Sequence, residues 1–402
     1  MITLSRRRRL VWATVVATSL VASGCWDRVE VNDLAIVLAA AVDVPEEGSG
    51  YEITVELAQP AALNAGGGGG LGGSSGGMST TQSPGAILLT ARGASWGQVL
   101  ALLQERASRR LEWSHLRAIV FSVEVARRTS VLPLLDFLSR FRQIHPHVPV
   151  LVADGRAEDV LAATPPLETG VGDFLRRLTR QRPFMRVPLY EFFRDAYEPG
   201  IDPVAPLVKV VQAAPVASRT IPSDVRLDGA ALFDQRGRLA ATLSDHVTRG
   251  LLWLRDMITQ STVTVRLPQG EMDLELLNAA TRLHAERTPG GPRIRAEFWA
   301  EDDIVDNRAS VDLKDPTTYA QISRVAAEEV IARAEEAIRE AQRAGVDPFG
   351  FGQAIHRDDP EDWRTWQADW PARMREVPVD LTARIDVRRT GITANATLRE
   401  GR

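Results

Sequence analysis

Apolar side chains fall at every second position along two stretches of the chain. Tyr51, Ile53, Val55 and Leu57 alternate with Glu52, Thr54 and Glu56. Val379, Leu381, Ala383, Ile385 and Val387 alternate with Asp380, Thr382, Arg384 and Asp386. A period of two puts each set on its own face of a pleated strand, so both stretches read as half-buried strands. Residues 33–43 and 148–152 are unbroken apolar runs, the pattern of strands covered on both faces. Residues 85–91, 117–121 and 207–211 add three more strands. Helical spacing lies between them. Ser95 can N-cap a helix carrying Trp96, Val99 and Leu103 toward a core, and Glu124 opens another. A helix over 131–141 is interrupted near its start by Pro133, and short helices follow at 157–163 and 171–179.

The second half is patterned more regularly. A hairpin over 230–243 turns at 234–237, and Ser244 can N-cap a helix with Val247, Leu251, Leu254 and Ile258 on one face. Strands follow at 261–267 and 272–286. Pro289 to Pro292 turn the chain into a third strand through Ile294, Ala296 and Phe298. Asp315 can cap the longest helix, with Pro316 at its first position, Ile322 to Ala341 in helical period and Gly345 at its end. Asp359 and Pro360 start a further helix with Trp363, Trp366 and Trp370 on one face. Thr390 and Gly391 turn the chain into a last strand over 392–398. The expected fold class is α+β or mixed α/β. Two or three domains are expected, each a β-sheet flanked by helices, and the C-terminal one has an antiparallel sheet. The boundary is placed at 218–224, giving an N-terminal region 25–217 and a C-terminal domain 218–402. Residues 64–85 are rich in glycine and are expected to form a flexible surface loop.

The first 24 residues carry a different pattern. Arg6 to Arg9 are followed by an apolar run of roughly ten residues, too short to cross about 30 Å of hydrocarbon, and then by Ala22, Ser23 and Gly24 before Cys25. Charge, apolar stretch and small residues in that order are an export signal. Cys25 is the single cysteine. It offers a thiol that can take a lipid, so residues 1–24 read as a lipoprotein signal peptide.

The segment that begins at Cys25 resembles the opening of the Ger(x)C family, the C-subunit lipoproteins of spore germinant receptors. The residues that carry the likeness are Cys25, Trp26 and Asp27, then Glu30, then Asn32, Asp33, Leu34 and Ala35 before a strand. Further likeness comes from His115 and Leu116 ahead of the strand through Ile119 and Phe121. It continues with Gly250 to Trp253, Asp347 to Gly352, His356, Pro360, Trp363 and Trp370. The resemblance implies lipid on Cys25 and attachment to the outer face of the spore inner membrane. It also implies two integral-membrane partners, an A-type subunit and a permease-like B-type subunit. On this reading the chain is a scaffold or signal-transmitting subunit and not an enzyme. The alternative is a solute-binding lipoprotein that captures a small germinant in a deep cleft.

Composition fits this picture. The chain of 402 residues is 44% hydrophobic and 25% charged with a formal charge of −4, and losing Arg6 to Arg9 makes it more acidic. A nucleic-acid partner would ask for a basic face and is not expected. One cysteine allows no internal disulfide, so the fold rests on its cores. No Gly-x-Ser-x-Gly or His-Glu-x-x-His motif marks a catalytic centre. His145 and His147 flank Pro146 without the further ligands that zinc needs, so no metal and no cofactor is expected. Glu301, Asp302, Asp303, Asp306 and Asp312 are expected to form a solvated acidic loop. Candidate partner-binding residues are Trp26, Asp27, Glu30 and Asp33, together with Phe349 and Phe351. Those two aromatics lie between glycines, and they are either tucked into the domain or docked on a partner.

Overall fold

The computed structural model describes residues 30–47, 49–58, 87–165, 168, 170–181, 185–211, 224–309, 311–313 and 315–389. Its first half contains β1 (Leu34–Asp43), β2 (Tyr51–Leu57), β3 (Ile87–Gly93), α1 (Trp96–Arg106), β4 (Arg110–Glu112) and β5 (Ala118–Ser122). Then come α2 (Val123–Arg128), α3 (Leu132–Arg140), β6 (Val150–Ala153), α4 (Ala157–Leu161), α5 (Val171–Leu178), α6 (Leu189–Tyr197) and β7 (Val204–Val211). The second half runs through β8 (Asp224–Phe233), β9 (Leu239–Ser244), α7 (Asp245–Leu254), β10 (Thr262–Leu267), β11 (Gly270–Thr288) and β12 (Gly291–Asn307). It ends with α8 (Pro316–Ala344), α9 (Phe351–Asp358), α10 (Pro360–Trp366), α11 (Trp370–Met374) and β13 (Val379–Arg389). The predicted caps form: Ser95, Ser244 and Asp315 each accept a backbone N–H in the first turn of their helix.

The first sheet has the order β3-β2-β1-β5-β6-β7-β8-β9, with β4 paired on β1. Its centre, β1, β5, β6 and β7, is parallel, and antiparallel strands close both edges. Helices cover both faces, as a parallel centre requires. On one face α1, α3 and α6 bury Trp96, Leu103, Leu135, Leu138 and Phe192 against Val42, Ile119 and Phe121. On the other, α4 and α5 lay Val160, Leu161 and Leu175 on Ala39, Ala41, Ala118 and Val120. The alanines hold these two short helices close to the sheet.

One expectation of burial needs correction. Strand β2 is not half-buried: Glu52, Thr54 and Glu56 are as buried as the apolar set, because α4 and α5 lie over their face. The sheet also continues past the expected boundary. β8 pairs with β7 and β9 with β8, so the predicted hairpin completes the first sheet. One apolar core runs on from it through the second sheet.

The second sheet has the order β10-β11-β12-β13, and its last pair is parallel, not antiparallel. Between β12 and β13 the chain passes along α8 and back through α9 to α11. A crossover of that kind delivers the new strand in the old direction, whereas a hairpin would reverse it. The acidic run is a correction too. Glu301 to Asp306 belong to β12, and Glu301, Asp302 and Asp303 pair with β11 on one side and β13 on the other. Asp302 faces inward and is buried, and its Oδ1 has no hydrogen-bond partner among the described residues. The expected strand over 392–398 and the glycine-rich segment 64–85 lie outside the described residues.

Helices α7 and α8 cross at Gly250. A Cβ there would sit 2.1 Å from the carbonyl oxygen of Arg333, so the absence of a side chain sets the closeness of this packing.

Candidate functional site

Asp347 sits where the two sheets meet and is 1% exposed. The chain leaves α8, passes Asp347 and Pro348, and turns back on itself through Phe349 and Gly350 into α9. The turn aims successive backbone N–H groups at one point. Oδ1 accepts from Phe349 at 3.2 Å, Gly350 at 3.0 Å and Phe351 at 3.1 Å, and Oδ2 accepts from Gly352 at 2.8 Å. The indole N–H of Trp370 donates to Oδ2 at 3.0 Å. Burial pushes the Asp347 carboxyl up from its ordinary range, and the converging donors act against that shift.

The same turn is fastened to the first half of the chain. The Asp347 N–H donates to Asp202 Oδ2 at 2.6 Å, and the Asp202 N–H donates to the Asp347 carbonyl at 2.7 Å. The Gln353 N–H donates to the Gly200 carbonyl at 3.0 Å. Gly200 and Gly352 face each other so closely that a Cβ on Gly352 would lie 2.5 Å from the Gly200 Cα. Burial, with a smaller contribution from the neighbouring charge of Asp347, pushes Asp202 up to about 7. Beside this point Arg255, at the end of α7, donates to Asp195 of α6 at 2.5 Å and to the Pro348 carbonyl at 3.0 Å. Asp195 is fully buried and is also paired with Arg194 at 2.7 Å.

A second group of buried acids holds the short helices on the first sheet. Asp43 accepts from the N–H groups of Ala157 and Glu158, both at 2.9 Å, which caps α4 from a distance. Glu56 does the same for α5, accepting from Val171 at 2.7 Å and Gly172 at 2.6 Å. A carboxylate suits a helix N-terminus, where N–H groups lack partners. Glu56 is fully buried, which pushes it up to about 7. Glu52 is raised by burial as well, but its pairs with Arg92 and Arg156 outweigh that and hold it below the usual range.

Comparison with known proteins assigns the chain. The family model for the spore germination protein N-terminal domain matches residues 27–210, and the model for the spore germination B3/GerAC-like C-terminal region matches 228–391. The chain belongs to the Ger(x)C family of spore germination proteins. YfkR of Bacillus subtilis strain 168 is 25% identical over 92% of this chain and 94% of its own length. Spore germination protein KC of the same strain is 23% identical over 97% of both chains. GerQC of Bacillus cereus is 21% identical over 95% of this chain and 99% of its own. The crystal structure of the GerBC protein superposes with a TM-score of 0.56 at 13% identity, covering 87% of this chain and 97% of that one, and shows a shared fold.

The residues between Asp347 and Trp370 that carried the family resemblance gather at the junction, whereas Gly250 packs on the middle of α8. Asp347 to Gly352 form its turn, and Trp363 and Trp370 pack edge to face at 5.6 Å behind it. Phe349 and Phe351 are 3% and 0% exposed, with ring centroids 4.9 Å apart. Their rings are therefore core, the first of the two placements that the sequence left open. Cys25, Trp26 and Asp27 lie outside the described residues. Glu30 and Asp33 are exposed at the start of β1, and neither carboxylate bonds to a described residue. His145 and His147 stack at 5.2 Å on the surface, and no cluster of three metal-ligating side chains occurs among the described residues. No helix among those residues is long and apolar enough to cross a membrane. A cavity of about 20 Å³ lined by Met185, Pro206, Leu227 and Thr248 holds no more than a water, and the hollow over Trp299 is open to solvent. Neither is the deep cleft that a captured solute requires.

Sequence reasoning missed Asp202, Asp195, Arg255 and the whole of α6. One signal was present: Asp202-Pro203 and Asp347-Pro348 are both Asp-Pro pairs in loops. Nothing local said that they face each other.

Proposed function

We propose that this chain is the lipid-anchored C subunit of a spore germinant receptor and acts as a scaffold that relays a conformational signal, without catalysis. The observation that carries this reading is the match of both halves to spore germination models, with the junction at Asp347 between them. Lipid on Cys25 tethers the chain to the outer face of the spore inner membrane. A single acyl chain binds with K of only about 10⁴ M⁻¹, whereas the two chains of a diacylglycerol thioether hold firmly. The partners are an A-type subunit and a permease-like B-type subunit. Trp26, Asp27, Glu30 and Asp33 contact them next to the bilayer. The junction suits a relay because it couples the two sheets through a few backbone bonds and buried carboxylates.

The test is co-purification from the spore inner membrane, with and without Cys25. The parent chain is expected to bring down both integral-membrane subunits. Cys25→Ala is expected to remain unprocessed at this site and to carry no lipid. Mass spectrometry that finds Cys25 unmodified in the parent would remove the anchor. A parent chain that is lipidated but purifies alone would remove the receptor.

A further inference from the structure

Strands β1, β5, β6 and β7 are parallel, so the segments that lead into them gather at one end of the first sheet. The row can be followed from bond to bond. Leu34, just after Glu30 and Asp33, pairs with Arg110 of β4. Glu112 of β4 accepts from Gln143 at 3.1 Å. Gln143 leads to His145 and His147, and His147 packs edge to face on Tyr190 at 5.1 Å. Tyr190 lies in the first turn of α6, with its N–H bonded to the Pro146 carbonyl. Helix α6 starts beside β6 and ends just before β7, so it lies across this end. Tyr190 and Tyr197, two turns apart, point outward from it, and Tyr197 is 67% exposed with Phe193 stacked beside it at 5.9 Å.

This end is rich in groups that a headgroup layer attracts. Arg110 and Arg142 are exposed and pair with no carboxylate among the described residues. Tyrosine has an amphipathic ring that favours the membrane–water boundary, and basic side chains near an anionic leaflet are drawn to it. The chain length supplies the occupant. Five residue steps separate Glu30 from Cys25, a reach of at most about 18 Å. If lipid holds Cys25 in the bilayer, this end of the sheet cannot stand far from it. We propose that the surface formed by Arg110, Arg142, His145, His147, Tyr190 and Tyr197 rests on the anionic headgroup layer of the membrane that holds the anchor. This rests on the lipid-anchor reading above. It adds an orientation, in which the first sheet stands with the start of its parallel strands on the membrane. Of the acids nearby, Glu112 is occupied by Gln143 and the Ser114 N–H, Asp136 is paired with Arg140, Glu198 is exposed beside Tyr197 and opposes the attraction, and Glu30 and Asp33 belong to the segment assigned to the protein partners.

Because Cys25 is the one cysteine and carries the lipid on this reading, a second cysteine can be labelled alone. The full chain, processed and lipidated, is placed in phosphatidylglycerol vesicles with a fluorophore at His147→Cys or Tyr197→Cys, or at Glu47→Cys in the exposed turn at the opposite end. Lipids spin-labelled at the headgroup are expected to quench the first two labels and leave the third bright. A chain that does not float with the vesicles fails the anchor reading, and the surface falls with it. A chain that floats while the labels at 147 and 197 stay as bright as that at 47 overturns the surface and leaves the anchor standing. Quenching that disappears in membranes containing the other receptor subunits also overturns it, in favour of a protein face.

Discussion

Asp202 and Asp347 grip each other's backbone: each donates its own N–H to the other residue, one to a carboxylate at 2.6 Å and one to a carbonyl at 2.7 Å. Two carboxyl groups are thereby held in one dry place. Asp347 can carry charge there because four backbone N–H groups and the Trp370 indole converge on it. Asp202 accepts from the Asp347 N–H, and burial leaves it holding a proton up to about pH 7. The link between the two halves of the chain is thus built on one acid of each.

Asp347→Ala should loosen that link severely. It strands five donors in the interior, and a buried donor without a partner costs about 1–3 kcal/mol. Water entering the gap relieves some of this, so the expected loss is about 4 kcal/mol or more by urea denaturation. Asp347→Asn keeps one carbonyl oxygen and should lose less. A melting temperature unchanged in the alanine variant would mean that the turn is held by something else.

Stability should fall as pH rises from about 4 to 7. Glu56, Asp202 and Asp302 are each pushed up to about 7, the first two chiefly by burial and the third by burial and by Asp303. Between the ordinary carboxyl value and 7 the folded chain holds more protons than the unfolded one, so raising pH favours unfolding. Their contribution is fully present below about pH 4 and gone above about pH 7. Glu52 and Asp358, held low, act in the opposite sense only in more acid solution. The melting temperature should be higher at pH 5 than at pH 8. Asp302→Asn should recover up to about 4 kcal/mol at pH 8 and far less at pH 5. Equal gains at both values would show that Asp302 does not titrate in this range.

Gly250→Ala sets two effects against each other. Alanine favours a helix over glycine by about 1 kcal/mol. The new methyl, however, would meet the Arg333 carbonyl at 2.1 Å, and backbone cannot turn aside as a side chain can. Separating α7 from α8 should cost about 1–3 kcal/mol and outweigh propensity. A thermal melt decides it: a raised transition would mean that the helices are less tightly crossed.

Deleting residues 66–77 should change stability by only about 0.5 kcal/mol. Leu57 and Ile87 are neighbours in the sheet, and closing a shorter connection between them gains only the logarithm of the length ratio. A large loss, or failure to germinate with the melt unchanged, would give that segment a role of its own.

What could be read in the sequence was local. The alternation from Tyr51 to Leu57 gave a strand, and Ser95, Ser244 and Asp315 gave helix starts, because period and cap are properties of neighbouring residues. The burial of Glu52 and Glu56 was hidden. Their partners Arg156 and Val171 lie more than a hundred positions away. Strand β12 was misread in part because four acids between Glu301 and Asp306 outweighed the inward Ile304. The parallel pairing of β13 came from a long crossover, which no periodicity records. Phe349 and Phe351 were left open between core and surface. Only the converging N–H groups around Asp347 decide for core.

The last expectation concerns the segment that the proposed lipid anchor would hold beside the membrane. Glu30 and Asp33 are exposed, and no described residue satisfies their carboxylates, so the possibility that Asp33 merely caps β1 gains no hydrogen bond in its favour. Asp27 lies seven positions before the strand, too far to cap it. All three sit within a short reach of Cys25, and on the proposed lipid anchor the leaflet there bears negative charge that repels carboxylates. Cationic or hydrogen-bonding groups on a protein suit them better, which is why the integral-membrane subunits are assigned to Trp26 through Asp33 and the arginine and tyrosine surface to lipid. Asp27→Arg reverses the charge without touching the lipidation site or the sheets. Receptor assembly, measured by co-purification from spore membranes, should fall, while lipidation by mass spectrometry and the melting temperature of the chain stay as they were. Normal assembly of the Asp27→Arg variant would place the docking surface elsewhere. Phe349 and Phe351 could not then take it over with their rings buried, and the open face of the second sheet around Trp299 would be the next to test.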